Sequence, residues 1–207
     1  MPKVKICGIT NLGDAIVTEI AGVDIMGFVF AESARRIDVE AARAIIDKVS
    51  LSVKITALFV NEEKRIVDEI INKLGRVDLL QFHGDETPEY CEGFRGVKII
   101  KAFRIKDESS LTAIKNFKNL DYILLDAHKD ERYGGTGESF DWDIALKAKD
   151  YGIPIFLSGG LNPENVKEAI LKVDPFAVDV SSGVEKEPGK KDQELVRRFI
   201  SEVKSAK

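Results

Sequence analysis

Cysteine and histidine are both scarce in this sequence. It contains two cysteines, Cys7 and Cys91, and two histidines, His83 and His128, in 207 residues. Two cysteines far apart in the chain cannot form a disulfide framework, which predicts a reduced, cytoplasmic protein. Two histidines without a nearby acidic pair provide too few ligands for a zinc site. We therefore expect no bound metal.

Long apolar runs, a secretory leader and an excess of basic charge are also missing. The longest apolar stretches are far shorter than the roughly 20 residues that span a bilayer. Residues 1–6 lead directly into a strand-like pattern, so we expect no signal peptide. The net charge is −4 with both signs interspersed, which argues against nucleic acid as the main partner.

The sequence does contain a regular alternation of short apolar runs with longer amphipathic stretches. Strands are predicted at 4–7, 25–30, 53–60, 79–82, 97–103, 122–125, 153–157 and 176–180. Helices are predicted at 11–21, 38–49, 62–74, 87–94, 107–117, 141–151, 162–173 and 191–204. Eight such units without a linker predict one (β/α)₈ TIM barrel domain over residues 1–207. A doubly wound sheet is the alternative, but it would more often carry a dinucleotide fingerprint after the first strand.

The last two predicted strands both stop at small residues. Ser158, Gly159 and Gly160 follow the seventh, and Ser181, Ser182 and Gly183 follow the eighth. Such turns expose backbone N–H groups to a phosphate, and barrels often bind phosphate at these two loops with a short extra helix. Residues 182–187 have room for that helix, and Asn162 is a good N-cap for the preceding one. Ordinary βα turns have a similar composition, yet the pair favours a phosphate site.

Active-site groups of a barrel lie at the C-terminal ends of its strands. The candidates there are Cys7, Arg35, Arg36, Asn61, Gln81, His83, Lys101, Arg104, Asp126, Ser158, Asp179 and Ser181. Cys7 shares a strand face with Lys5, so it points into the barrel mouth if Val4 and Ile6 pack on the helices. The alternative is an inert buried cysteine. As a base, Cys7 would have to become a thiolate.

Asp126 ends an apolar strand without capping an obvious helix. It is either a general acid at the barrel rim or an ordinary loop carboxylate. The connection that follows, 127–140, is the longest and is rich in glycine, which is more typical of a mobile lid than of a phosphate loop. Arg35 and Arg36 are either solvated or paired with a substrate carboxylate, which the guanidinium fork suits.

Short motifs follow one another at 5–10, 27–30, 33–37, 80–84, 124–126, 134–137, 157–161 and 178–185. The most specific are Lys-Ile-Cys-Gly at residues 5–8 and Asp-Val-Ser-Ser-Gly-Val-Glu at residues 179–185. In this order, over the whole chain, they resemble the phosphoribosylanthranilate isomerase family of tryptophan biosynthesis.

The resemblance implies a reaction and residue roles. The family converts N-(5-phosphoribosyl)anthranilate to 1-(2-carboxyphenylamino)-1-deoxyribulose 5-phosphate by an Amadori rearrangement, without metal or organic cofactor. It implies Asp126 as the acid and Cys7 as the base, with phosphate at the two small-residue turns. The arginine that meets the anthranilate aligns best with Arg35, and Arg36 is the alternative. Gln81 and His83 are expected to contact the substrate.

Two other hypotheses remain open at this point. A different barrel enzyme could be an epimerase, which needs metal ligands, or a synthase with a catalytic lysine, a part that Lys101 could play. A non-catalytic sugar-phosphate sensor would tolerate the loss of Cys7 and Asp126. In each case we expect a monomer or homodimer that binds neither nucleic acid nor membrane.

Overall fold

Eight parallel strands hydrogen-bond in chain order, and the eighth pairs with the first to close a barrel. The computed structural model describes residues 1–127 and 141–206. The strands are Lys3–Cys7 (β1), Ile25–Val29 (β2), Lys54–Phe59 (β3), Leu79–Phe82 (β4), Lys98–Ile105 (β5), Tyr122–Ala127 (β6), Ile155–Leu157 (β7) and Ala177–Val180 (β8). The prediction of a (β/α)₈ barrel is confirmed.

Helices follow the strands and pack around them. The α-helices in the described ranges are Leu12–Ala21 (α1), Val39–Ile46 (α2), Lys64–Leu74 (α3), Pro88–Glu92 (α4), Trp142–Ala148 (α5), Val166–Val173 (α6) and Gln193–Ser205 (α7). None of them is both long and apolar enough to cross a membrane.

Two helix predictions need correction. The fifth predicted helix is a 3₁₀-helix, Glu108–Asn116, which begins with a capping box between Asp107 and Ser110. The helix predicted to begin at Asn162 begins at Val166 instead. Asn162 still caps the turn before it, because its Oδ1 accepts the N–H of Glu164 at 2.9 Å. A side chain that caps a local turn has the same sequence signature as one that caps a helix.

The connection after β8 is more elaborate than a plain turn. It forms a short 3₁₀-helix, Ser182–Val184, where the sequence left room for one. An antiparallel hairpin of Glu185–Glu187 (β9) and Lys190–Lys191 (β10) follows. This hairpin brings the start of α7 back toward the mouth of the barrel.

Alternation along the strands separates two apolar layers. Val4 and Ile6 of β1 belong to the large core between the barrel and its helices, whereas Lys5 and Cys7 point inward. The floor of the interior is apolar, and Phe156 packs edge-on against Tyr122 within it. Above that floor polar inward side chains join apolar ones such as Val29 and Leu58, and the reactive groups lie at the C-terminal mouth.

Candidate active site

A cavity of about 400 Å³ opens at the C-terminal ends of the strands. Eleven of the candidate residues line it: Cys7, Arg35, Gln81, His83, Asp126, Ser158, Gly159, Gly160, Asp179, Ser181 and Ser182. The other candidates are absent from its lining: Arg36, Asn61, Lys101, Arg104 and Gly183. The cavity therefore brings together residues that are up to 175 positions apart in the sequence, as expected for groups at the C-terminal ends of barrel strands.

Cys7 lies on the β1 side of the cavity and is 6% exposed. A Cβ at Gly27 of the adjacent β2 would lie 2.8 Å from Cys7 Sγ, so the thiol occupies space that only glycine leaves open. Burial raises the pKa of the Cys7 thiol, while the nearby Lys5 ammonium opposes that rise. In the free protein the thiol is therefore the resting form, and its ionisation needs help from the substrate or from Lys5.

Lys5 and Asp179 form a buried ion pair beneath Cys7. Lys5 Nζ lies 2.8 Å from Asp179 Oδ1, and both side chains are almost fully enclosed. Ser158 Oγ approaches the other carboxylate oxygen at 3.4 Å. Burial by itself would lower the pKa of Lys5, but Asp179 and Cys7 outweigh it and the net shift is upward. A permanent positive charge thus stands next to the thiol.

Asp126 reaches the cavity from β6, three strands from β1 around the closed barrel. Its Oδ1 accepts the backbone N–H of Ala127 at 2.9 Å. Its Oδ2 lies 3.2 Å from His83 Nε2, and Gln81 Nε2 lies 2.9 Å from His83 Nδ1. Gln81 and His83 share one face of the chain at the end of β4 because they are two residues apart.

The two small-residue turns lie side by side at the cavity. Gly159 and Gly160 both adopt positive φ angles, 81° and 68°, which an L side chain would resist. Gly183 lies behind the lining, and a Cβ on it would come 1.9 Å from the carbonyl oxygen of Leu161. Gly183 therefore allows the second turn to pack directly on the first. Its role in phosphate binding stays a prediction, and the close approach to Leu161 adds a packing role.

Arg35 and Arg36 have different surroundings. Arg35 lines the cavity and lies over Gly8, where a Cβ would be 2.7 Å from the Arg35 Cδ. Glu185 accepts from Arg35 Nε at 2.9 Å and from Nη2 at 2.7 Å. Arg36 is exposed, and its backbone forms an isolated β-bridge with Val29. Of the two arginines, Arg35 is the one that lines the cavity, and contact of either with an anthranilate carboxylate stays a prediction.

Lys191 contacts residues of the site, although the sequence did not identify it as a candidate. Its side chain is 1% exposed, and Nζ donates to the carbonyl of Cys7 at 2.6 Å and to Glu185 Oε1 at 2.7 Å. Burial lowers the pKa of Lys191 despite the attraction of Glu185. The residue is one of two adjacent lysines in β10, and no pattern distinguishes the buried one from its exposed neighbour Lys190.

Lys101 does not occupy the position that a catalytic lysine would need. It is buried on the outer face of β5, and its Nζ lies 3.2 Å from Glu86 Oε2 and 2.8 Å from the carbonyl of Gly84. Within the described ranges, no three His, Cys, Asp or Glu side chains are grouped so that they could hold a metal ion. Of the predicted lid at 127–140, residues 128–140 lie outside the described residues, and His128 is among them.

Comparisons with known proteins agree on one family. The model described as N-(5'phosphoribosyl)anthranilate (PRA) isomerase matches residues 4–202. An N-(5'-phosphoribosyl)anthranilate isomerase from Citrifermentans bemidjiense is 51% identical over 205 residues, which are 99% of this chain and 98% of that protein.

Two solved structures are similar over the same span. One is a phosphoribosyl anthranilate isomerase in complex with reduced 1-(o-carboxyphenylamino)-1-deoxyribulose 5-phosphate, with a TM-score of 0.90 and 40% identity over 99% of this chain and 100% of that one. The other contains monomers generated from the dimeric enzyme of Thermotoga maritima, with a TM-score of 0.89, 40% identity and the same coverage.

Proposed function

The chain belongs to the N-(5'-phosphoribosyl)anthranilate isomerase family, and from this premise we propose that Asp126 and Cys7 are the acid and base of its reaction. That reaction converts N-(5'-phosphoribosyl)anthranilate to 1-(2-carboxyphenylamino)-1-deoxyribulose 5-phosphate in tryptophan biosynthesis. One observation carries the assignment: a carboxyl group and a thiol reach one cavity from strands three apart, and so face the same bound molecule from different sides.

The rearrangement needs two proton transfers at different atoms of the sugar. Asp126 gives its proton to the furanose ring oxygen, the C1–O bond breaks, and an iminium cation forms. Cys7 then removes the proton from C2 to leave an enolamine, which ketonises to the product. The Cys7 thiol is protonated at rest because burial raises its pKa. The thiol must therefore release its proton to solvent before it can accept the proton from C2. Lys5 and the cationic iminium both favour the resulting thiolate, so ionisation is coupled to substrate binding and ring opening.

The remaining lining groups hold the two charged ends of the substrate. We assign the phosphate to the backbone N–H groups of the turns at 158–160 and 181–183, where small residues allow close approach. Arg35 faces the anthranilate carboxylate, with Glu185 holding one edge of its guanidinium. The sequence predicts substrate contacts for Gln81 and His83, and both line the cavity.

The proposal also covers the domain organisation, the cellular location and the oligomeric state. The closed barrel runs from Lys3 to Val180, and α7 packs on it, which supports one domain over residues 1–207. Cys7 and Cys91 are both free thiols, as expected in a reducing cytoplasm. We expect a monomer or homodimer without nucleic acid or membrane partners; the Thermotoga maritima relative is described as dimeric.

The test is a coupled fluorescence assay that follows the disappearance of phosphoribosylanthranilate in the presence of EDTA. Asp126→Asn and Cys7→Ala should each lower kcat at least about a hundredfold, the low end for a general acid or base, with KM largely intact. Cys91→Ala, a buried cysteine outside the cavity, is the matched control and should keep its activity. Near-normal kcat in both site variants would reject the assignment.

A further inference from the structure

His83 stands between Gln81 and Asp126 in the wall of the cavity. Its two ring nitrogens face different partners: Nδ1 is 2.9 Å from the Gln81 amide nitrogen, and Nε2 is 3.2 Å from Asp126 Oδ2. His83, Gln81 and Asp126 are 7%, 0% and 4% exposed, so little of their surface is accessible to water. The His83 ring therefore contacts Gln81 through one nitrogen and faces Asp126 with the other.

The Gln81 amide determines which nitrogen of His83 carries the proton. An amide nitrogen is only a donor, so Nδ1 must accept, and the neutral ring then carries its hydrogen on Nε2. That N–H is directed to the side on which Asp126 lies. It has no aligned hydrogen-bond partner among the described residues, although Asp126 is at ion-pair distance. A buried donor of this kind is costly until an acceptor moves onto it.

The backbone beside His83 is held rigidly. Glu86 accepts the N–H of Gly84 at 3.0 Å and that of Asn61 at 2.8 Å. Lys101, buried with Glu86, donates to the carbonyl of Gly84 at 2.8 Å. The backbone that follows His83 is therefore held through both the N–H and the C=O of Gly84, which fixes the point from which the imidazole reaches the carboxyl group.

We propose that His83 is a positioning residue for the acid, with its tautomer set by Gln81. When Asp126 has given its proton to the ring oxygen and the C1–O bond has broken, the new carboxylate accepts a hydrogen bond from His83 Nε2–H. This bond is stronger to the anion than to the acid, so it stabilises the state after proton transfer. The proposal rests on Asp126 being the acid, and it assigns Gln81 and His83 to Asp126 rather than to direct substrate binding.

Steady-state kinetics of His83 variants test this role. His83→Leu removes the N–H, and the side chain of His83→Asn is too short to bring its N–H to Asp126. In both variants a hydrogen bond to a charged group is lost, so kcat should fall about 10- to 100-fold. The KM should stay within about twofold of the parent value. His83→Gln keeps an amide N–H near the position of Nε2 and should recover most of kcat. A rise in KM with unchanged kcat, or a His83→Gln variant as slow as His83→Leu, would overturn the proposal.

Two further measurements separate this inference from the assignment of the acid. In Asp126→Asn, adding His83→Leu should cause no further loss of kcat, since His83 acts only through Asp126. If Asp126→Asn is inactive while His83→Leu is normal, only the present inference fails; if Asp126→Asn is active, the proposed function fails first. The tautomer of His83 can be measured by ¹⁵N NMR. The chain has only two histidines, so a His128→Gln variant assigns the His83 signals. A proton on Nδ1 of His83 would refute the proposed tautomer.

Discussion

Lys191 Nζ donates to the carbonyl oxygen of Cys7 across 2.6 Å, although the two residues come from opposite ends of the chain. The same ammonium group reaches the carbonyl of Ser181 at 3.2 Å and Glu185 at 2.7 Å. Glu185 in turn holds Arg35. One buried cation thus connects the end of the strand that carries the proposed base, the turn proposed to bind phosphate and the arginine that lines the cavity.

Replacement of Lys191 by methionine should therefore damage both stability and turnover. The change leaves two carbonyl groups without their donor and Glu185 with one partner fewer, and breaking a buried pair costs about 3–5 kcal/mol. The kcat should fall as well, because the end of β1 loses its tether. Urea unfolding and the isomerase assay measure the two effects.

Lys190→Met is the matched control for that experiment. Lys190 is the exposed neighbour and makes only a surface ion pair with Glu187, so its loss should change stability by less than about 0.5 kcal/mol. Equal unfolding midpoints for the two variants would contradict the role of Lys191.

Glu185 should make stability depend on pH in the acid range. Burial alone would raise the pKa of Glu185, but Arg35 and Lys191 together hold it below its usual value. A carboxyl group with a depressed folded-state pKa stabilises the fold above its unfolded pKa, and this contribution is lost as the pH falls through the folded value. Glu185→Gln should thus be less stable than the parent at pH 7, and the difference should shrink steadily below about pH 4.3.

The comparison is made by thermal or urea unfolding at a series of pH values. Glu187→Gln serves as the control, since Glu187 is exposed and pairs only with Lys190. A gap between parent and Glu185→Gln that is constant from pH 7 to pH 3 would show that the ion pairs of Glu185 do not stabilise the fold.

The thiol of Cys7 should ionise only at alkaline pH in the free protein. Burial raises its pKa, whereas Lys5 opposes the rise, so half-ionisation should lie above the ordinary value of about 8.5. The titration uses thiolate absorbance at 240 nm in a Cys91→Ala background, because burial raises the pKa of the other cysteine to about 12.

Lys5→Gln in the same background should move the titration to higher pH, since it removes a positive charge beside the thiolate. Lys3→Gln changes an exposed lysine of the same strand that pairs with Asp24, and it should leave the titration where it was. Ionisation of Cys7 near neutral pH would mean that burial does not control this thiol.

Gly183→Ala should weaken phosphate binding more than it slows chemistry. Its methyl group would meet the carbonyl of Leu161 at 1.9 Å and force the two phosphate turns apart. We expect KM to rise at least about tenfold, since misplacing a positioned group by about an ångström can cost a hundredfold. The change in kcat should be smaller because Cys7 and Asp126 are untouched.

Gly152→Ala provides the comparison. Gly152 also requires glycine, with φ of 69°, yet it has no neighbouring atom within 4 Å of its Cβ position. It should cost about 1 kcal/mol of stability and leave KM unchanged. If the two variants show the same KM, the contact between the turns has no part in binding.

Local sequence patterns predicted many residues of the candidate site. Alternation along strands placed Lys5 with Cys7 and Gln81 with His83 on inward faces, because successive side chains on a strand point to opposite sides. The count of eight units then put the ends of those strands at one mouth. Neither step requires knowledge of how distant segments touch.

The amino-acid sequence by itself determined the closed barrel, the strand ends that form its mouth and the acid and base candidates there, since these follow from periodicities of two and 3.6 residues. Only the tertiary structure decided that Arg35 rather than Arg36 lines the cavity, that Gly183 packs against Leu161 and that Lys191 contacts Cys7. Those outcomes depend on how the turns after β2, β7 and β8 lie against one another. Such packing arises from contacts between residues far apart in the chain, which no local pattern records.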